Sequence, residues 1–296
     1  MKKQHIPYIY AGVTIFMWST IAVVSKLLLG HFNNFQVLWA SSFFGSVMLV
    51  ILNIASGIIK QLKNFRFKDY MTIILSGLPG TFLYYVFYYA GTDILPSASQ
   101  AFIINYLWPI MSVVFACLIN KEQMTFRKGI AIVVSFVGIA IVSMKDLMNP
   151  EASTISVTLT GSLMCALGAV SYGLFTALTN RFNYEKSLMM MLSFSATFVI
   201  TTVINGVRGD LFIPTGAEIL GFIWNGSFVM ALASTAWAIA LHMGDTAKIS
   251  NLAYITPFLS LIWIMLVLKE PLSIFSILGL IVIVGGILIQ LKDKKQ

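Results

Sequence analysis

The chain has 296 residues, 58% of them hydrophobic and only 10% charged, with a mean hydropathy of +0.88. So few charges cannot cover the surface of a water-soluble protein of this length, which excludes a soluble globular domain. The net charge of +8 is distributed unevenly along the chain, and that unevenness reads as membrane orientation rather than as a nucleic-acid surface.

In chain order, the charge-free runs of the first half are Ile6–Ser25, Leu27–Ile59, Tyr70–Thr92, Ile94–Asn120 and Gly129–Met144. Those of the second half are Ala152–Asn180, Ser187–Val207, Ile219–Gly244, Ile249–Leu268 and Pro271–Leu291. Most reach the roughly 20 residues that carry a helix across a bilayer. Gly129–Met144 has 16 and needs a flanking lysine to snorkel. No run alternates polar and apolar residues as a lipid-embedded barrel strand does. Helices are then the way to satisfy backbone groups in lipid. The expected fold class is all-α: a polytopic membrane protein with ten transmembrane helices. The first run lacks a small-residue cleavage site and reads as a span, not a signal peptide.

With the N-terminus in the cytoplasm, 15 of the 19 Lys and Arg residues fall on the inner side. The outer side keeps Lys26, Lys145, Arg208 and Lys269. The bias places both termini in the cytoplasm, and the expected location is the cytoplasmic membrane.

The chain also repeats itself. Pro109, Lys121-Glu122 and Gly138 return as Pro257, Lys269-Glu270 and Gly286, each at an offset of 148. The halves are residues 1–148 and 149–296, with five spans each. An odd number of spans inverts the second half, so Lys121 falls inside and Lys269 outside. Inverted repeats exchange conformations around a central site, the basis of alternating access.

Three prolines predict helix breaks. Pro79 frees the carbonyl of Leu75, Pro109 that of Asn105 and Pro257 that of Ala253. Broken helices at membrane depth are tolerated against a cavity. In the third span, Thr81, Tyr85, Tyr88 or Tyr89, and Thr92 form one stripe, which is assigned to the cavity. Gly77, Gly80, Tyr84 and Gly91 form another, assigned to helix packing. Trp18, Trp108 and Trp237 lie deep in their spans, where an indole N–H needs a partner. No Asp or Glu stands at mid-span. His242 is the one span residue that titrates near neutral pH and reads as interfacial. Cys117 and Cys165 read as packing residues; no metal spacing and no CxxC pattern occurs, and no cofactor is expected. No nucleophile–base set exists at depth, so the chain is not expected to be an enzyme.

These features resemble the drug/metabolite transporter superfamily, EamA type, across essentially the whole chain. Trp18-Ser19-Thr20, Asn105-Tyr106-Leu107-Trp108-Pro109, Thr179-Asn180, Ala236-Trp237 and Tyr254-x-Thr256-Pro257 carry the likeness to its amino-acid exporters. The resemblance implies a central cavity lined by helices one to four and six to nine. Its substrate contacts would be Trp18, Tyr85, Tyr88, Tyr89, Asn105, Tyr106, Trp108, Tyr172, Trp237 and Tyr254. Tyr172 stands where those exporters carry a tryptophan, and Ser41 and Ser42 lie near the place of a second-span arginine. The expected activity is export of amino acids, aromatic ones included, or similar small metabolites. The alternative is transport of organic cations or quaternary amines in a cation–π cage. The expected partners are a small-molecule substrate and the lipid bilayer, with no nucleic acid, and the chain is expected to be a monomer.

Overall fold

The computed structural model describes residues 5–148, 152–243, 249 and 252–291. Lys2, Lys3, Asp245, Lys248, Lys292, Lys294 and Lys295 lie outside the described residues. The described residues are all helix and turn, with no strand. Helix α1 (Ile6–Ser19) continues after a turn at Thr20 as α2 (Ile21–Leu29), followed by α3 (Asn34–Ala55) and a short 3-10 segment (Ile58–Asn64). Helix α4 (Phe67–Leu78) runs through a π-helical segment (Pro79–Leu83) into α5 (Tyr84–Ile94). Then come α6 (Ala98–Asn105), α7 (Trp108–Ile119), α8 (Phe126–Leu147), α9 (Ala152–Arg181) and α10 (Lys186–Arg208). Helix α11 (Glu218–Ile223) leads through a π-helical segment (Trp224–Leu232) into α12 (Ala233–Met243). A 3-10 turn (Ala253–Ile255), α13 (Thr256–Trp263), a third π-helical segment (Ile264–Leu268) and α14 (Ile274–Leu291) follow.

Eight of the described helical stretches are long and apolar enough to cross a membrane: Ile6–Leu29, Asn34–Ala55, Phe67–Ile94, Ala98–Ile119, Phe126–Met144, Ile155–Arg181, Lys186–Arg208 and Glu218–Trp237. Two shorter apolar stretches, Ala253–Leu268 and Ile274–Ile289, follow. The 16-residue run of the fifth span gains length from Phe126, Arg127 and Lys128, which are themselves helical.

Each proline marks an irregularity, because it cannot donate to the carbonyl four residues back. Pro79 opens the π-helical segment at 79–83. Pro109 sits in the first turn of α7, after α6 has ended at Asn105. Pro257 lies in the first turn of α13, just past a 3-10 turn. A proline costs least in a first turn, where its missing N–H has no intrahelical partner to lose.

The chain forms two compact units, Met1–Phe82 with Asn183–Trp263, and Leu83–Phe182 with Ile264–Gln296. Both units draw on both halves of the sequence. In the first unit, α3 packs on α10 and on the segment 224–232, and α1 packs on α12. Asn33 starts α3 with a capping box: its side chain accepts from the Phe35 and Gln36 N–H groups, and Gln36 accepts from the Asn33 N–H. Gly226 permits a close approach, since a Cβ there would run into the Ser41 carbonyl oxygen. Beside it, Asn225 Nδ2 donates to Ser41 Oγ at 2.9 Å. Ser41 therefore ties two helices together, and Ser42 bonds back to the Trp39 carbonyl.

In the second unit, α5 and α7 pack on α9, and α8 packs on α14. The α8–α14 pair explains the repeated glycines. A Cβ on Gly138 would meet Ile283, and one on Gly286 would meet Ser135 and the Ala131 carbonyl. Each glycine lets its helix approach the other's backbone. The repeated lysines have a second signature. Lys121 (φ 58°) and Lys269 (φ 54°) are the non-glycine residues with left-handed backbone among those described.

Candidate functional site

The second unit gathers most of the residues expected from the sequence. Asn105 closes α6, and Tyr106 and Leu107 form the turn into α7, where Trp108 is the first residue. Trp108 and Tyr172 of α9 meet edge to face, with ring centroids 5.2 Å apart at 77°. Tyr106 lies 6.4 Å from Trp108 in a similar edge-on geometry. Tyr172 also lies 5.0 Å from Tyr84 and 5.4 Å from Phe175. Tyr84 stacks on Tyr88 at 5.7 Å and touches Tyr85 at 4.6 Å, and Tyr85 touches Tyr89 at 5.3 Å. Edge-to-face and offset pairs of this kind are the favoured ring arrangements.

Exposure grades the cluster. Tyr88 and Tyr89 are wholly enclosed, and Tyr84, Tyr85, Asn105 and Tyr106 are buried. Trp108 and Tyr172 keep partly exposed edges. Asn105 Nδ2 donates to Tyr84 Oη at 3.0 Å. Its Oδ1 is buried and has no hydrogen-bond partner. An orphaned buried acceptor costs about 1–3 kcal/mol, a cost that a ligand N–H donor would remove.

Tyr84, expected on the packing stripe, does pack: it is buried where α5 meets α9, and it also accepts from the Asn105 amide and touches Tyr85, Tyr88 and Tyr172 of the cluster. The i, i+4 spacing to Tyr88 was the available signal for that second role. Thr81 goes the other way. It belongs to the first unit, where it is buried, accepts from Thr197 Oγ1 at 3.0 Å and donates to the Gly77 carbonyl at 3.2 Å. Gly91 does pack, since a Cβ there would meet Cys165 and Gly161.

The first unit holds the other expected residues. Trp18 and Trp237 pair with centroids 5.4 Å apart, both half-buried. Tyr254 is half-buried in the 3-10 turn before Pro257. The Trp18-Ser19-Thr20 motif gains a structural account here. Ser19 Oγ accepts from the Trp263 indole at 3.0 Å, and Thr20 Oγ1 from the Trp224 indole at 2.8 Å. Both hydroxyls also donate back to carbonyls of α1, so the motif sits at a helix interruption and fixes two indoles. In α9, the Thr179 hydroxyl bonds to the Phe175 carbonyl and Asn180 is exposed. The His242 side chain lies outside the described residues.

Serial apolar helices, interrupted by prolines and carrying an aromatic–amide cluster, are the build of a multi-pass membrane transporter. The EamA-like transporter family matches at residues 5–144 and 159–291, and the chain belongs to that family, within the drug/metabolite transporter superfamily. The transporter YvbV of Bacillus subtilis is 24% identical over 95% of this chain and 90% of its own. The aromatic amino acid exporter YddG of Ancylobacter novellus is 22% identical over 83% of each chain. A solved crystal structure of another protein matches with a TM-score of 0.68 at 20% identity, over 97% of this chain and 96% of that one. That last likeness speaks to fold.

Proposed function

We propose that the protein exports amino acids, aromatic ones among them, or similar small metabolites across the bacterial cytoplasmic membrane by alternating access. In this reading the two shorter apolar stretches complete ten crossings, and residues 1–148 and 149–296 are inverted repeats with both termini inside. The recurrence of Pro, Lys-Glu and Gly at one offset supports the repeat, as does the left-handed backbone shared by Lys121 and Lys269. The protein works as a transporter and not as an enzyme, in keeping with its family.

The observation that carries the substrate reading is the partnerless Asn105 Oδ1, on a side chain that holds Tyr84 and lies three residues before the Trp108–Tyr172 ring pair. A zwitterionic amino acid supplies an ammonium donor for that oxygen, and an aromatic or apolar side chain fills an aromatic wall. Asn105, Tyr106, Trp108 and Tyr172 make direct contact in this reading, with Tyr85, Tyr88 and Tyr89 as the support behind them. Trp18, Trp237 and Tyr254 are proposed to contact substrate during the cycle. The name of the Ancylobacter relative supports aromatic amino acids as cargo.

A second reading rests on the same rings. Trp108 and Tyr172 stand at 77°, two walls of a cage into which a quaternary ammonium would fit by cation–π attraction. Thermal-shift measurements separate the two. A ligand that binds the folded state raises the unfolding temperature by mass action, the more so the further its concentration exceeds Kd. Stabilisation by phenylalanine and tryptophan, and none by tetramethylammonium or choline, is the expected result. The reverse pattern moves the assignment to organic cations.

A further inference from the structure

Glu270 lies outside the aromatic cluster and binds the start of α6. Its carboxylate accepts four hydrogen bonds from three consecutive residues: Ser97 Oγ at 2.7 Å, the Ala98 N–H at 2.8 Å, the Ser99 N–H at 3.1 Å and Ser99 Oγ at 2.6 Å. These residues begin α6, where Ser97 is the N-cap and accepts from the Gln100 N–H. A carboxylate at a helix N-terminus meets unpaired N–H groups and the positive end of the helix dipole. Glu270 is held in place from its own side, between the left-handed Lys269 and Pro271. Every residue of α6 is buried. The helix is about 12 Å long at 1.5 Å per residue, and its far end is Asn105, followed by Tyr106 and Trp108.

Glu122 is the counterpart of Glu270, but it pairs with Lys128 at 3.4 Å and is 55% exposed. The counterparts of Ser97 and Ser99, at the same offset of 148, are Asp245 and Ala247. Neither of those side chains carries a hydroxyl, and both lie outside the described residues.

We propose that Glu270 is a positioning residue for transport: by gripping residues 97–99 it fixes α6 and thereby sets where Asn105, Tyr106 and Trp108 stand. The effect on transport rests on the reading of that cluster as the substrate site. The amide of Glu270→Gln puts an NH2 group among donors and keeps a single accepting oxygen. Ser97→Ala with Ser99→Ala is the gentler variant, since it keeps both backbone donors and removes two hydroxyls.

Two measurements test this independently. The first is fluorine NMR of protein labelled with fluorotryptophan, with the Trp108 resonance assigned by Trp108→Phe. Glu270→Gln and the double serine variant should shift the Trp108 resonance and leave the tryptophan resonances of the first unit in place, which also reports folding. Glu122→Gln should shift none. The second is phenylalanine counterflow in proteoliposomes. There Glu270→Gln should raise KM several-fold with a smaller change in maximal rate, and Glu122→Gln should match wild type. An unmoved Trp108 resonance in both Glu270→Gln and the serine variant overturns the proposal, whatever the transport result. A moved resonance with unchanged phenylalanine KM supports the grip and overturns the cluster as the phenylalanine site.

Discussion

At the scale of single residues, Asn105 and Trp108 are the side chains on which substrate binding is proposed to depend most. Trp108→Ala removes ring pairing worth about 0.5–1.5 kcal/mol beyond its buried area. Where a substrate ring takes part in that stacking, its affinity should fall several-fold, measured as Kd by titration, with the protein still monodisperse. Asn105→Leu separates stability from function. It leaves the buried Tyr84 hydroxyl without its partner, at a cost of about 1–3 kcal/mol, but also deletes an orphaned acceptor that costs about as much. The two roughly cancel, so the unfolding temperature should change little while substrate affinity drops. A well-folded Asn105→Leu protein with wild-type affinity would remove the amide from the site. The sequence reads Asn105, Tyr106 and Trp108 together because they are neighbours in one short motif. It does not read Tyr84 into the cluster, because a run of four tyrosines over six positions lies on more than one helix face, and only the tertiary contact with Asn105 selects among them.

At the scale of elements, hydrophobic patterning makes the helices legible, while their irregularities are legible only where proline causes them. Pro79, Pro109 and Pro257 each lie at a break or a widened turn. The π-helical segment Trp224–Leu232 contains no proline and leaves no such mark in the sequence. It lies against α3 where Gly226 meets the Ser41 carbonyl. The repeated glycines are visible in sequence, but their common address is not: Gly138 and Gly286 serve one helix pair, α8 with α14. Gly286→Leu should therefore push the two helices apart. Overpacking costs of about 1–3 kcal/mol or more are expected, read as a clear drop in unfolding temperature in detergent. Gly285→Leu is the control, because a Cβ at Gly285 meets nothing within 4 Å. Equal destabilisation by both would deny that the α8–α14 contact is what Gly286 serves.

At the scale of the whole molecule, the Lys and Arg distribution and the proposed five-span repeat lead to a topology that labelling can check. A cysteine at position 121 should react only with reagent on the cytoplasmic side, and one at 269 only with external reagent. Labelling of both from one side would refute the inversion. Composition establishes membrane residence at once, because no soluble surface can be made from so few charges. It is silent on coupling. The spans carry no mid-helix carboxylate of the kind that proton-coupled carriers use, so transport is expected to run as exchange or facilitated diffusion. The most direct test of the central claim is counterflow of labelled phenylalanine into sealed proteoliposomes preloaded with unlabelled phenylalanine, with no pH or voltage gradient. Uptake should overshoot equilibrium in wild-type vesicles and shrink sharply with Trp108→Ala. Absence of uptake without a proton gradient, or undiminished uptake by a well-folded Trp108→Ala protein, would contradict it.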